Sequence, residues 1–354
     1  MAAPGKDELL ERLRCALLEG AACRSAVGLQ LLPDKGLAHD HVRLLGTGLL
    51  ARIPKQSQLG LSPLANLAYQ RACFERCVAS GHTPQLRACL PPSVHLPWGA
   101  LLVEEIVGRA AELPRDLPAI GHAFAQLHRL PVPAQQQREP LLDPVDPLRS
   151  LWDEINGQAQ HLHSAGLAAP VQRVIQTGLA ALGRLTAAAD RPPRHLIAFD
   201  GHPGNFMLAA EDRAVLVDLE KCRYGYPGLD LAHATLYTST TWDVDSCAVL
   251  SLAQVARFYV DWSEAAGPAV AVPARAWHAP LRRAMWLWSL TWCAKWRSLA
   301  PRSPNAVAAG EDWSAAHSEP ALVAHVRERV DHYLSQAAVD RVLAELDALQ
   351  AAFS

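Results

Sequence analysis

The 354-residue chain has no charge excess of either sign. Its 33 lysines and arginines face 35 aspartates and glutamates, for a formal net charge of −2. That balance excludes a broad basic surface for nucleic acid or anionic membrane, so any polyanion it binds should be small and met by a local site. Cysteine is scarce, with eight in the chain. Cys73 and Cys77 stand one helical turn apart, a spacing that would suit a metal. No second pair and no histidine cluster completes a zinc set, and reduced core thiols in a cytoplasmic protein are expected instead. Long apolar runs are missing too. The best candidate, AMWLWSLTWCAKW, is too short to span a membrane and is bounded by Arg283 and Lys295. The opening MAAPGKDELLERLR has no apolar core of signal-peptide length. A soluble protein with neither nucleic-acid nor membrane partners is the expectation. No internal repeat at a period of roughly 20 to 50 residues is visible.

What is present is core material: half of the residues are hydrophobic and only 19% are charged, enough to bury a sizeable interior. Leu9, Leu10, Leu13, Ala16 and Leu17 follow helical spacing and predict an amphipathic helix over 6–19. VGLQLL (27–32), HVRLL (41–45) and LLARI (49–53) read as strands, the last two joined across the turn signal GTG. A helix is predicted from Pro63 to Ser80, stopped by Gly81. SVHLPWGALLVEEI (93–106) reads as two strands joined across PWG. Beyond Gly108 the texture turns helical, over 115–129, 146–164 and 168–189, with a Pro- and Gln-rich connection after the first of these. A short β element interrupts: HLIAF, NFMLA and AVLVDL, with the turn AEDR between the last two. After Gly228 the pattern is helical nearly to the end, broken at 265–275 and 300–320.

The chemistry lies on that embedded β element. Asp200 follows an apolar strand and Asn205 comes five residues later; Asp218 closes the next apolar strand. If 205–209 pairs with 214–218, Asn205 and Asp218 face one another at one edge of a hairpin, with the 200–204 loop folded over them. An amide oxygen and two carboxylates are hard ligands of the kind that suit Mg²⁺, which keeps waters and shares its other positions with phosphate oxygens. The same set matches kinase-type phosphoryl transfer, and the Asp-to-Asn interval equals that of the protein-kinase catalytic loop.

DGHPGN followed by LVDLEKCRYGYPGLDLA resembles the aminoglycoside phosphotransferase and choline kinase superfamily, whose pattern runs approximately H-G-D-x-H-P-G-N, an apolar strand, I-D-F-E, then G-x-P-x-x-D-L-A. The resemblance implies an α+β, two-lobe protein-kinase-like fold: a small antiparallel-sheet N-lobe over 1–108 and a larger, mainly helical C-lobe over 109–354. It implies an ATP- and Mg²⁺-dependent kinase of a small-molecule hydroxyl, on an amino sugar, amino alcohol or similar acceptor. By the same resemblance Asp200 is the catalytic aspartate, Asn205 and Asp218 hold metal, and His202 supports the loop through a hydrogen bond. Glu220, two residues past Asp218 on the same face, either supports the metal or caps a loop. Asp230 is structural and opens the next helix, where it also reads as an N-cap. HAFAQLHRLPVP (122–133) is similar to a family helix. LLARIP (49–54) is similar to the strand with the phosphate-pairing cation, which implies that role for Arg52, with Lys55 as the neighbouring candidate. LLVEEIVGR (101–109) is similar to the adenine-holding segment, which implies backbone contacts at Glu104 and Ile106. Gly36, in DKGLAHDH, permits close backbone approach in the phosphate loop, and His39 and His41 there either touch phosphate or flank a turn.

The pattern departs from the family at two places. Ala198 stands where a loop-supporting histidine is usual. Gln70 stands where a helix glutamate usually pairs with the cation, and an amide makes a weaker, uncharged hydrogen bond. Both motivate an alternative, a pseudokinase-like module that binds nucleotide without moving phosphate. For the acceptor, Trp288, Trp292 and Trp296 form a stripe on one helix face with Trp286 nearby, either core or an aromatic wall. Asp243, Asp245, Glu311 and Asp312 are either substrate acids or solvated loop charges.

Overall fold

A computed structural model describes residues 5–20, 27–33, 38–299 and 319–353. Gly36, Glu311 and Asp312 therefore lie outside the described residues. Contacts divide the chain into two compact units, one of residues 1–75, 84–105 and 299–328, the other of 76–83, 106–298 and 329–354.

The first unit is built on a five-stranded antiparallel sheet ordered β1-β2-β3-β5-β4. Its strands are β1 (Leu29–Leu31), β2 (His39–Leu44), β3 (Leu49–Pro54), β4 (Leu86–Leu90) and β5 (Ala100–Glu104), flanked by helices α1 (Lys6–Glu19) and α2 (Pro63–Cys77). The turn between β2 and β3 needs left-handed backbone at two positions, and Gly46 (φ 75°) and Gly48 (φ 68°) supply it. Period-2 alternation puts Val42, Leu44, Ala51, Ile53, Ala100 and Leu102 on one face, where they meet Leu9, Leu13, Ala16 and Leu17 of α1. Each leucine buried there contributes about 1.5–3 kcal/mol. α2 runs into a 3₁₀ turn that ends at Gly81, whose N–H donates to the Val78 carbonyl, as the sequence predicts. One expectation fails: 93–96 is not a strand. Pro91 and Pro92 end β4 just beforehand, and Ser93 Oγ caps a turn by accepting from the N–H groups of His95 and Leu96.

The second unit carries most of the helices. In order they are α3 (Leu117–His128), α4 (Pro147–Ala159), α5 (Ala169–Thr186), α6 (Pro227–Thr235), α7 (Tyr237–Thr240), α8 (Leu252–Ala266), α9 (Pro268–Arg275), α10 (His278–Leu299) and α12 (Gln336–Phe353); of α11 (Pro320–Tyr333) only the residues from Arg329 on belong to this unit. α4 starts where Asp146 accepts from Leu148 and Arg149 N–H, and α8 where Ser251 and Gln254 form a reciprocal capping box. The expected break at 265–275 is confined to Gly267; α9 starts at once because Pro268 suits a first helical turn. Among the described residues no helix is long and apolar enough to cross a membrane. The strands are β6 (Arg109–Ala110), β7 (His195–Ile197), β8 (Phe206–Leu208), β9 (Ala214–Leu216) and β10 (Arg223–Gly225). β8 and β9 form the expected hairpin, with β6 added on its open edge, while β7 pairs with β10, a strand the sequence pattern does not announce.

Candidate active site

β7 delivers the chain to Ala198, Phe199 and Asp200, and a buried carboxylate fixes the path of the backbone there. Asp230 sits in α6, wholly buried. Its oxygens accept from Ala198 N–H (2.8 Å), Phe199 N–H (2.7 Å) and His128 Nε2 (3.0 Å). Trp262 Nε1, which can only donate, gives its proton to His128 Nδ1 at 3.0 Å, so His128 is the Nε2–H tautomer and donates to Asp230. The expected N-cap role of Asp230 is thus replaced: Tyr226 holds the cap position of α6, and Asp230 clamps a different segment. The clamp holds Phe199 at φ 64°, a left-handed conformation that costs a residue with a Cβ about 1–2 kcal/mol. That kink ends the extended run of β7 just before Asp200.

Two glycines of the motif turn out to be steric requirements. A Cβ at Gly201 would collide with Phe124, a buried ring stacked on His128 at 5.6 Å and set edge-on to Phe206 at 5.2 Å. A Cβ at Gly204 would lie 2.7 Å from Asp243 Cβ. Asp243 itself accepts from Asp245 and Ser246 N–H in a local turn, so this acid packs beside the loop as turn chemistry.

Asp200 Oδ2 receives a hydrogen bond from Lys221 Nζ at 2.8 Å, and Oδ1 lies 3.7 Å from His233 Nδ1. Burial works to raise the Asp200 pKa, but Lys221, by its charge and its hydrogen bond, together with His233 and His202 outweighs it and holds the carboxyl below the usual carboxylate range. The Asn205 amide nitrogen donates to the Asp200 carbonyl at 2.7 Å, which ties the two motif ends together. The hairpin register places Val217, not Asp218, opposite Asn205: Phe206 pairs with Leu216, and Val217 N–H donates to Asn205 O at 2.9 Å. Asp218 comes one step beyond, half-buried. The shift arises at the other end of the hairpin: the β8–β9 turn closes over Ala210–Asp212, with left-handed Glu211 and Asp212, and Ala209 N–H donates to Arg213 O, so Arg213 belongs to the pairing and every later partner moves by one. His202 precedes that turn, its carbonyl accepting from Asn205 N–H, its ring 6.0 Å from that of His233 and its buried Nδ1 without a hydrogen-bond partner among the described residues. Glu220 is buried in the turn after Asp218.

Lys221 and His233 were not singled out by the sequence. His233 Nδ1 donates to the Phe199 carbonyl at 3.1 Å. It brings from α6 an imidazole to the loop position that Ala198 cannot serve. Burial pulls its pKa down to about 4, so it is neutral near pH 7. Unfolding lets it bind a proton below its ordinary value of about 6.5. Its contribution is therefore complete above that value and is lost as pH falls toward about 4. Burial lowers His278 to about 4 as well. We predict that wild-type thermal stability drops between about pH 7 and pH 4.5, that His233→Asn flattens this drop, and that adding His278→Asn flattens it further. An unchanged pH slope in both variants refutes the assignment.

In the first unit, Arg52 is buried on β3, its Nη1 3.4 Å from His41 Nε2 and its guanidinium 5.7 Å from the Phe74 ring centroid. Gln70 bonds His39 Nε2 at 3.1 Å, Lys55 pairs with Asp40 at 3.3 Å, and Glu75 pairs with Arg71 at 2.7 Å. Glu104 N–H donates to Gln85 O and Glu105 N–H to Gly48 O, so these two donors are committed within the unit. In the second unit, Ile106 is half-buried. The expected thiols behave as core residues: Cys73 and Cys77 are fully buried, and Cys77 Sγ lies 3.7 Å from Cys222 Sγ. Among the described residues no group of three or more His, Cys, Asp or Glu side chains is placed to hold a metal.

The sequence profile of the phosphotransferase enzyme family matches residues 79–281, which include Asp200, Asn205, Asp218 and Asp230. The chain belongs to this family. Solved phosphotransferase structures share the fold at low identity. A choline/ethanolamine kinase family protein from Mesorhizobium loti is 17% identical, with a TM-score of 0.55 over 92% of this chain and 99% of that one. An ethanolamine kinase from Plasmodium vivax is 12% identical, TM-score 0.60, over 96% and 91%. A macrolide 2′-phosphotransferase from Brachybacterium faecium is 16% identical, TM-score 0.51, over 87% and 98%. No curated protein matches the chain in sequence. This phosphotransferase therefore has the kinase-like α+β fold of those neighbours.

Proposed function

We propose that this phosphotransferase moves the γ-phosphate of ATP to a hydroxyl of a small molecule, an amino sugar, amino alcohol or similar, with Mg²⁺. The observation that carries the reading is the Asp200 carboxylate, paired with the Lys221 ammonium at 2.8 Å, preceded by a clamped left-handed peptide and tied through its carbonyl to Asn205. The acceptors named for the neighbouring structures, choline or ethanolamine and a macrolide, support a small-molecule hydroxyl. Asp200 accepts the hydroxyl proton as the acceptor oxygen attacks. Arg52 pairs with phosphate, and the Glu104 carbonyl and the Ile106 backbone contact adenine, the Glu104 N–H being engaged by Gln85 O.

The donors at the hairpin edge fit a magnesium ion. The Asn205 amide nitrogen is engaged by the Asp200 carbonyl, which leaves Oδ1 as the ligand atom, and Asp218 adds a carboxylate. One or two carboxylates with waters and phosphate oxygens is what Mg²⁺ ordinarily takes, so a larger acid cluster is not required. When bound, the ion neutralises charge on the β- and γ-phosphates.

Asp218→Ala is expected to abolish stabilisation by Mg·ATP. At ligand about 100-fold above Kd the wild type should gain about 2.7 kcal/mol, and the variant should show no thermal shift. An undiminished shift together with undiminished ADP release would sink the metal assignment. The alternative, a module that binds nucleotide without turning it over, is favoured by Gln70, whose amide bonds His39 where an acid is usual. Stabilisation by Mg·ATP without ADP release across an alcohol library would establish it.

A further inference from the structure

We infer that Lys221 takes part in the transfer step, holding the Asp200 carboxylate in register for the acceptor hydroxyl and then facing the phosphoryl group as it moves. The inference rests on the proposed phosphotransfer. Lysine is rarely buried without a partner, and the Lys221 side chain is 11% exposed. Asp200, the carboxylate the reaction uses, is one of its partners, at 2.8 Å.

The position of the ammonium is built from several sides. Nζ lies 5.8 Å from the centroid of the Trp288 ring. Trp288 is itself pinned, its Nε1 donating to Glu154 Oε1 at 2.7 Å. Glu154 accepts through its other oxygen from Arg223 at 3.2 Å, and the Arg223 guanidinium stacks 3.6 Å from the Phe199 ring. This circuit starts at the residue before Asp200 and returns to it through Lys221. A surface ion pair needs no such support, and surface pairs contribute little.

The carboxylate is also divided between two tasks. Oδ2 is held by Lys221, whereas Oδ1 is beyond hydrogen-bond distance of His233 at 3.7 Å and is left to receive a proton. In the step, the acceptor oxygen bonds to the γ-phosphorus and the hydroxyl proton passes to Oδ1. The bond from the γ-phosphorus to the β,γ-bridging oxygen breaks, and its electron pair leaves with ADP. Lys221 keeps its protons throughout. As Asp200 is neutralised, the pull of its charge on the ammonium falls while charge spreads over the phosphoryl oxygens, and the N–H that faced Asp200 can turn to them. Before the step Lys221 is a positioning residue; only at this point does it touch the reacting group.

The test uses the full chain and Mg·ATP with water as the acceptor, reading ADP release, with Asp200→Asn as comparator. Lys221→Met should lower kcat about 100-fold while KM for Mg·ATP stays within about threefold, because the lost contact is made in the transition state. Lys221→Arg should retain about a tenth of wild-type kcat, since a guanidinium keeps the charge with different geometry. Propylammonium in the assay should restore Lys221→Ala by about tenfold or more, a rescue that a purely structural lysine would not show. Wild-type turnover in Lys221→Met overturns the inference. So does a loss that neither arginine nor the amine relieves. If Asp200→Asn is inactive while Lys221→Met is not, the proposed function stands and only the lysine role falls. A wild type that releases no ADP, with water or with an alcohol library, removes both.

Discussion

Asp230→Ala should unfold at markedly lower urea than the wild type, with a loss of about 4 kcal/mol or more at pH 7. The substitution leaves three donors stranded: the N–H groups of Ala198 and Phe199, both buried, and Nε2–H of the fully buried His128. Each unsatisfied buried donor costs about 1–3 kcal/mol. Removing a buried charge returns part of that, since a wholly buried carboxylate is expensive to desolvate. The remainder is still a large share of the roughly 5–15 kcal/mol by which domains are ordinarily stable. The left-handed peptide at Phe199 would also lose the contacts that enforce it, so Asp200 would no longer be aimed. Asp230→Asn should be milder, about 2 kcal/mol, because one oxygen can still accept while the amide nitrogen faces a donor. His128→Ala combined with Asp230→Ala should cost less than the sum of the single changes, as the two side chains share one network. A urea midpoint for Asp230→Ala close to that of the wild type would mean the clamp is not what holds the loop.

Asp200→Asn should reduce ADP release by about a thousandfold while the protein stays folded. The substitution is isosteric, and the loop is held by Asp230, Asn205 and His233 through backbone groups that it does not touch. What it removes is the proton acceptor, and general-base contributions of this kind are about 10²–10⁴-fold. Lys221 loses its anion, but its ammonium keeps the amide oxygen as an acceptor and the Trp288 ring beneath it. Binding of Mg·ATP, monitored by thermal shift, should persist, which separates this variant from Asp218→Ala. Turnover within about tenfold of the wild type, measured on protein whose melting temperature is unchanged, would exclude Asp200 as the base.

Much of the site was legible in the chain. Asp200, Asn205 and Asp218 stand out because each belongs to a short segment whose spacing restricts where its side chain can go. The hairpin β8–β9 could be read the same way, from two apolar runs and a turn. Its register could not: the turn closes over Ala210–Asp212, one residue tighter than the AEDR signal suggests, and that moved Val217 into the place expected for Asp218. Gly201 and Gly204 were visible as turn residues, yet what forbids a side chain there is Phe124 and Asp243, both far along the chain.

Local sequence by itself determined most of the helices, the β2–β3 turn, the motif loop and the class of chemistry, because periodicity, caps and turn residues act over one or two turns of chain. Tertiary structure alone decided which groups surround Asp200. Lys221, His233 and the Asp230 clamp reach the loop over 21, 33 and 31–32 positions, and no local pattern marks a lysine or a histidine as the one that will be buried there. A buried charge is tolerable only where the fold brings its counter-charge, and that meeting is a property of packing rather than of spacing. The same reason explains how Ala198 could be read as a loss: a missing histidine is visible in the sequence, whereas the imidazole supplied by α6 appears only once the helix is in place.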